Sequence, residues 1–410
     1  MLIEDLRSED GDGIATFRAT VDWENRSRDS MSVYFVVDES DAWRVSLNPD
    51  AFRIPGAVVA MRDHEHRIAG GGPMCPVLRD GLKSSLAWIS RWSTSPVGTP
   101  DLDFPLGCAH PVPQDAGAAA GFVSGGVDST ALIVANHRAH GEDDPLRVSV
   151  GIVVIGIQSH RWVDREEIKD QLAAARDDLS TLADATGIDI VPVATNIRML
   201  NDNGTFWKYE FQGAVLAGVA HLFAPTVSNV SIASTWEIAH LDNWGSHPLL
   251  DHGYGNHSLR IWHELAHVGR LEKTRLVAEQ PALLKGLNVC NKAEAGDANC
   301  GRCEKCVRTK LALETMAALK AGPEFVVSST RPEDLKLVRI LDRGLEGEFA
   351  ELVDPLREAG HADLASAVEK AIRRGRLLRR PSVHRMRVLG SRILPRSTRE
   401  RLFGVAKTPR

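Results

Sequence analysis

The sequence predicts an α/β protein: a doubly wound parallel sheet, preceded by a small mixed α+β domain and followed by a helical region. Two observations carry that expectation. Between Gly117 and about Val289, short apolar, β-branched runs alternate with stretches of helical spacing. The first run, Ala118–Val123, ends in a glycine pair directly before a helical stretch. That is the strand–turn–helix unit of a sheet whose ligands bind at strand C-termini.

The chain has 410 residues, enough for two or three domains, and its 43% hydrophobic and 25% charged content is that of a globular protein. No apolar run reaches about 18 residues, so no membrane span is expected. The start, MLIEDLRSEDGDG, lacks the basic-then-apolar order of a signal peptide. A cytoplasmic location with reduced thiols is the expectation.

The expected divisions are a mixed strand and helix domain over 1–105, a nucleotide domain over 117–320, and a helical region with a basic tail over 329–410. Ile14–Val21 and Ser32–Val37 alternate as strands do, Pro55-Gly56 and Gly70–Pro73 read as turns, and the stretch around Leu82–Trp92 reads as a helix. Ser95–Pro100 reads as a linker. Strands are expected at Val148–Ile157, Ile188–Val193 and Val230–Ser234. Helices are expected at Ser129–Arg138, Glu166–Thr186, Tyr209–Leu222 and Leu271–Leu284.

Ser124-Gly125-Gly126-Val127-Asp128-Ser129 sits between the first of those strands and the helix after it. A helix N-terminus offers unpaired N–H groups and a positive dipole end, and paired glycines let backbone approach an anion closely. Ser124, Ser129 and Thr130 add hydroxyls. Asp128 opposes bare phosphate but suits Mg²⁺ or an N-cap. The Walker-type G-x-x-x-x-G-K-[ST] pattern is absent from the chain.

These residues resemble the SGGxDS signature of the PP-loop, or N-type, ATP pyrophosphatases. The resemblance implies cleavage of ATP between its α and β phosphates and adenylation of a substrate oxygen. A nucleophile such as ammonia or a sulfur donor then displaces AMP. It further implies that Ser124 through Thr130, with Val127 among them, hold the pyrophosphate end of ATP, and that Val148–Ile157 lies beside the adenine.

Four of the six cysteines, Cys290, Cys300, Cys303 and Cys306, lie in one short segment with two overlapping C-x-x-C turns. Four thiolates at such spacing suit a closed, structural Zn²⁺ site, and an iron–sulfur cluster uses the same ligands. Cys75 and Cys108 read as plain core or loop thiols. A late C…CGxCxxC segment after an SGGxDS domain is similar to the 7-cyano-7-deazaguanine synthase family. That resemblance implies Zn²⁺ on these four cysteines, a basic residue at Arg308, and ATP-driven amide and nitrile formation on 7-carboxy-7-deazaguanine. It spans roughly Gly121 to Leu313, and the family has neither the leading hundred residues nor the basic tail.

Ser234 to Pro248 follows a strand and is rich in His, Asp, Asn and Trp, as a substrate loop or a satisfied polar loop would be. His263-Glu264-Leu265-Ala266-His267 spells H-E-x-x-H, but no third ligand stands in a familiar place; His257, Ser258 and Glu264 are expected near substrate instead. Arg270 and Lys273 lie three apart on one helix face and suit neutralisation of leaving pyrophosphate.

The segment 373–410 carries twelve Arg and one Lys against one Glu, although the whole chain has a net charge of -5. Such a tail suits RNA phosphates, an anionic membrane surface, an acidic protein, or docking on the acidic body. The expected activity is an ATP-dependent, AMP-forming ligase for a small molecule. Modification of tRNA or a sulfur carrier, and a non-catalytic nucleotide-binding module, are the alternatives. Related enzymes suggest a homodimer.

Overall fold

The computed structural model of the chain describes residues 1–25, 28–93, 97–107, 117–157, 167–290 and 299–379. Ten strands share one sheet in the order β10-β9-β6-β7-β8-β3-β2-β1-β4-β5. The fold is α/β with a mixed, mostly parallel sheet.

β1 (Leu2–Gly11), β2 (Ile14–Asp22) and β3 (Met31–Asp38) form an antiparallel meander. The first turn is Asp12-Gly13, at φ 55° and 74°, the left-handed pair whose twist matches a two-residue hairpin. Then come α1 (Asp50–Arg62), β4 (Arg67–Ala69), α2 (Pro76–Trp92) and β5 (Asp101–Asp103). Pro55-Gly56, expected as a turn, lies inside α1. Pro55 leaves the Ala51 carbonyl without its helix partner. That carbonyl abuts Gly218 so closely that a Cβ at Gly218 would strike it. The burial of α1 from Asp50 to Met61 outweighs the helix breaker.

The second half runs β6 (Ala118–Phe122), α3 (Val127–Ala139), β7 (Val148–Ile155), α4 (Ile168–Asp177), α5 (Ser180–Thr186) and β8 (Asp189–Thr195). A continuous helix follows as α6 (Gly204–Phe206), a π turn (Trp207–Phe211) and α7 (Gln212–Leu222). Next are β9 (Val227–Ala233), α8 (Pro248–Asp251), β10 (Arg260–Glu264), α9 (Arg270–Ala278) and α10 (Pro281–Lys285). Strands β6 to β10 pair in parallel. The helix expected over Leu271–Leu284 is broken at Gln280, whose extended conformation (ψ 93°) is the one favoured before a proline.

Both faces of the parallel strands are apolar, as in a sheet covered on both sides. Ala120, Ile152, Val191 and Val230 pack with α1, α2 and α7. Ala119, Val148 and Ile190 face the other way, toward α3, α5, α9 and α10. The sheet continues across the expected boundary at residue 105. β3 pairs antiparallel with β8 through Phe35–Thr195 and Val36–Ala194, so the first strands widen the central sheet.

α11 (Glu304–Glu314), α12 (Arg343–Ala350), α13 (Val353–Glu358) and α14 (Ala362–Leu378) complete the helical region. Their apolar residues, among them Leu311, Phe349 and Val368, form a further core around Trp236 and Leu271. The basic tail beyond Arg379 lies outside the described residues, as do Cys108 and the loop 291–298. No helix among the described residues is long and apolar enough to cross a membrane.

Candidate active site and metal centre

The Ser124–Ser129 turn lies where β6 gives way to α3. Gly125 takes φ 69°, which an L side chain resists, and Gly126 is the extended N-cap of α3. Ser129 Oγ accepts from the Ser124 N–H at 3.2 Å and donates to the Gly126 carbonyl at 3.2 Å, closing the turn on itself. The first-turn N–H groups of α3, on Val127 to Ser129, have no partner within the helix. Behind the turn, the Asn288 N–H donates to the Gly125 carbonyl at 2.9 Å. The segment leading into the cysteines therefore braces this loop.

Asp128 stands in the first turn of α3 and meets the start of α9. Its Oδ2 accepts from Arg270, and its Oδ1 lies 3.6 Å from Lys273 Nζ. Lys273 is fully buried and also donates to the Ser234 carbonyl at 2.6 Å, just past β9. Burial works to raise the Asp128 pKa, but Arg270, Lys273 and Arg308 outweigh it and hold the carboxyl below its ordinary range. Burial pushes the Lys273 ammonium down against the pull of Asp128. Three cations thus converge on one carboxylate beside the free N–H groups of α3. Arg308 is itself balanced by Glu304 and Glu348, so what suits an anion here is the N-terminus of α3 with Arg270 and Lys273 at its side.

Arg308 reaches this cluster from α11, where it pairs with Glu348 of α12 and lies 3.3 Å from Glu304. Glu351, at the end of α12, caps α9 by accepting from the Leu271 N–H at 2.8 Å. Burial raises the Glu351 pKa. Glu348 and Glu351 come from α12 and its end, a stretch in which sequence patterning marked no chemistry.

The loop after β9 packs against the helical C-terminal region. Trp236 is buried, its ring 5.4 Å from Trp244, which lies 5.8 Å from Tyr209. Lys208 lies over the Trp244 ring at 4.6 Å and pairs with Asp342 at 3.3 Å. Gly344 and Gly347 bring α12 onto this loop, since a Cβ at either would overlap Trp236 or His240.

The H-E-x-x-H stretch is not one helix: Arg260–Glu264 is strand β10. His263 Nδ1 lies 2.7 Å from Asp251, which also accepts from Ser246 at 2.7 Å. His257 rests against Cys75 at the start of α2, at 3.6 Å, and Ser258 bonds Asn256. None of these makes a described hydrogen bond or ion pair to Asp128, Arg270 or Lys273. Cys75 is wholly buried, and its thiol is pulled down to about 7; burial opposes this, while N–H groups of the α2 start and His257 favour the thiolate.

Cys290, Cys300, Cys303 and Cys306 come together, their sulfurs all within 4.8 Å of one another. The Cys290–Cys303 and Cys300–Cys306 separations are 3.9 Å, and Cys303–Cys306 is 3.4 Å. Cys303 is the N-cap of α11, so the positive end of that helix faces the sulfurs. The Cys306 thiol bonded to Cys303 pulls the latter down to about 5. Buried Asn299 knots the two halves: Oδ1 accepts from Val289 and Cys290 at 2.8 and 3.0 Å, and Nδ2 donates to Leu287 at 3.0 Å. The cluster can hold a metal ion. No family model, curated protein or solved structure matches this chain.

Proposed function

We propose that the chain is a PP-loop ATP pyrophosphatase that adenylates a small-molecule carboxylate or heterocycle and transfers nitrogen to it, in the manner of 7-cyano-7-deazaguanine synthase. One observation carries the reading: the Ser124–Ser129 turn opens α3 at a strand C-terminus with Asp128 between Arg270 and Lys273. The β and γ phosphates of ATP would lie on the α3 N–H groups and the hydroxyls of Ser124, Ser129 and Thr130. Asp128, once freed from Arg270 by the arriving anion, would offer an oxygen ligand for Mg²⁺. The acceptor oxygen attacks the α-phosphorus. The bond to the bridging oxygen breaks, and pyrophosphate leaves with the electron pair. Arg270 and Lys273 offset the charge that develops there. Ammonia then adds to the activated carbon, AMP departs with the C–O electron pair, and the spare proton passes to solvent.

The four cysteines fit Zn²⁺. A tetrahedron with Zn–S arms of about 2.3 Å has edges of about 3.8 Å; three of the six sulfur separations are 3.4 to 3.9 Å and all lie within 4.8 Å. Four thiolates leave no open position, so the metal's role is structural. It would fix the start of α11 and with it Arg308, two residues beyond Cys306. Such thiolates suit a reducing compartment such as the cytoplasm.

The test is incubation with Mg-ATP, ammonium and 7-carboxy-7-deazaguanine, resolved by chromatography with mass detection. Substrate-dependent AMP with amide or nitrile product, lost in Asp128→Ala, supports both class and substrate. AMP with other carboxylates only would keep the class and remove the deazaguanine. No AMP with any acceptor, from folded, metal-loaded protein, would overturn the reading.

A further inference from the structure

The two outer strands of the sheet differ in a way that concerns assembly. β5 is three residues long, and its Asp101 and Asp103 are both exposed. If β5 paired antiparallel with itself about Leu102, Asp101 would face Asp103 of the other copy. Like charges directly opposite repel, so this edge is protected against pairing.

β10 has the opposite character. It reads Arg-Ile-Trp-His-Glu from 260 to 264, with Ile261 buried in the core and His263 held on Asp251. Arg260, Trp262 and Glu264 share the other face, where Trp262 is 38% exposed. Among the described residues, no hydrogen bond other than those to β9 and the Ser234–Glu264 bond engages the β10 backbone. Antiparallel pairing about Trp262 would set Arg260 opposite Glu264 of a second copy, Glu264 opposite Arg260, and the two Trp262 rings side by side. The strand is complementary to itself, as a twofold interface demands. Exposed Leu249 adds apolar surface on α8, which packs against β10.

We infer that the outer edge of β10 is the contact through which two copies of this chain form a twofold dimer with one continuous sheet. The geometry does not depend on the proposed activity. Fluorescence-detected sedimentation velocity of the full, metal-loaded chain over about 1 nM to 50 µM is the measurement, since interfaces of ordinary size range from µM to tighter than nM. A dimer is expected. Arg260→Glu and Glu264→Arg should each weaken it by about tenfold or more, by placing like charges opposite. The double variant should restore it, and so should mixing the two single variants, whose charges complement only each other. Trp262→Lys, at an exposed position, sets two ammonium groups face to face and should also weaken it. Circular dichroism of each variant reports folding; should a single variant fail to fold, Trp262→Lys and the double variant carry the test. A monomeric wild-type chain at 50 µM, a dimer indifferent to folded variants, or a double variant as weak as the singles would overturn the inference.

Discussion

The ammonium of Lys273, fully buried on α9, lies 3.6 Å from the Asp128 carboxylate that opens α3. The contact ties the two helices flanking the candidate site. Lys273 titrates abnormally, because burial lowers its pKa more than this contact with Asp128 raises it. Between that depressed value and the ordinary value of about 10.4, the unfolded chain holds the proton that the folded chain has lost. Folding stability therefore gains from this group as pH rises through that window. The difference in unfolding free energy between wild type and Lys273→Met should shift in favour of wild type as pH rises toward the ordinary lysine value of about 10.4, read by denaturant titration. Parallel pH profiles would show that Lys273 titrates normally.

Metal removal should act at a distance from the cysteines. Cys303 and Cys306 begin the helix that carries Arg308 toward Asp128. Substitution of Cys290, Cys300, Cys303 or Cys306 by Ser should reduce zinc from about one ion per chain to under about a tenth, measured by atomic emission, with a clear fall in Tm. Full metal content in any one variant would remove that cysteine from the ligand set.

Asn299 is 4% exposed and serves two N–H groups and the Leu287 carbonyl at once. Asn299→Ala leaves these buried groups unpaired, at about 2–4 kcal/mol in total. Chemical denaturation reads the loss directly, and metal affinity should fall with it. A change under about 0.5 kcal/mol would mean that the knot is not present in solution.

The Arg308–Glu348 pair joins α11 to α12, each side chain 5% exposed. Removing one partner strands a buried charge and should cost about 3–5 kcal/mol, whereas Arg308→Met with Glu348→Leu should cost much less. A double-variant cycle measures this. Additive losses would show that the two residues act separately.

The parallel strands were legible because burial on both faces writes continuous β-branched runs such as Val148–Ile155. The Ser124–Ser129 turn and the cysteine spacing were legible because their chemistry is local. β10 escaped notice because five residues of mixed polarity carry little periodicity, and its His-Glu pair imitates a helix motif. Pro55 misled because tight packing of α1 against Gly218 is a tertiary fact. The pairing of β3 with β8 rests on two residue pairs about 160 positions apart, which no local window contains. Glu348 and Glu351 were hidden for the same reason: their roles exist only where α12 meets α9 and α11.

The most direct test of the central proposal is isotope exchange between labelled pyrophosphate and ATP, catalysed by the metal-loaded chain with Mg²⁺ and a carboxylate acceptor, without ammonia. Reversible adenylation at the Ser124–Ser129 turn should move label into ATP, and Asp128→Ala should reduce that exchange by about a hundredfold or more. Release of ADP and orthophosphate instead, or exchange unaffected by Asp128→Ala, would contradict it.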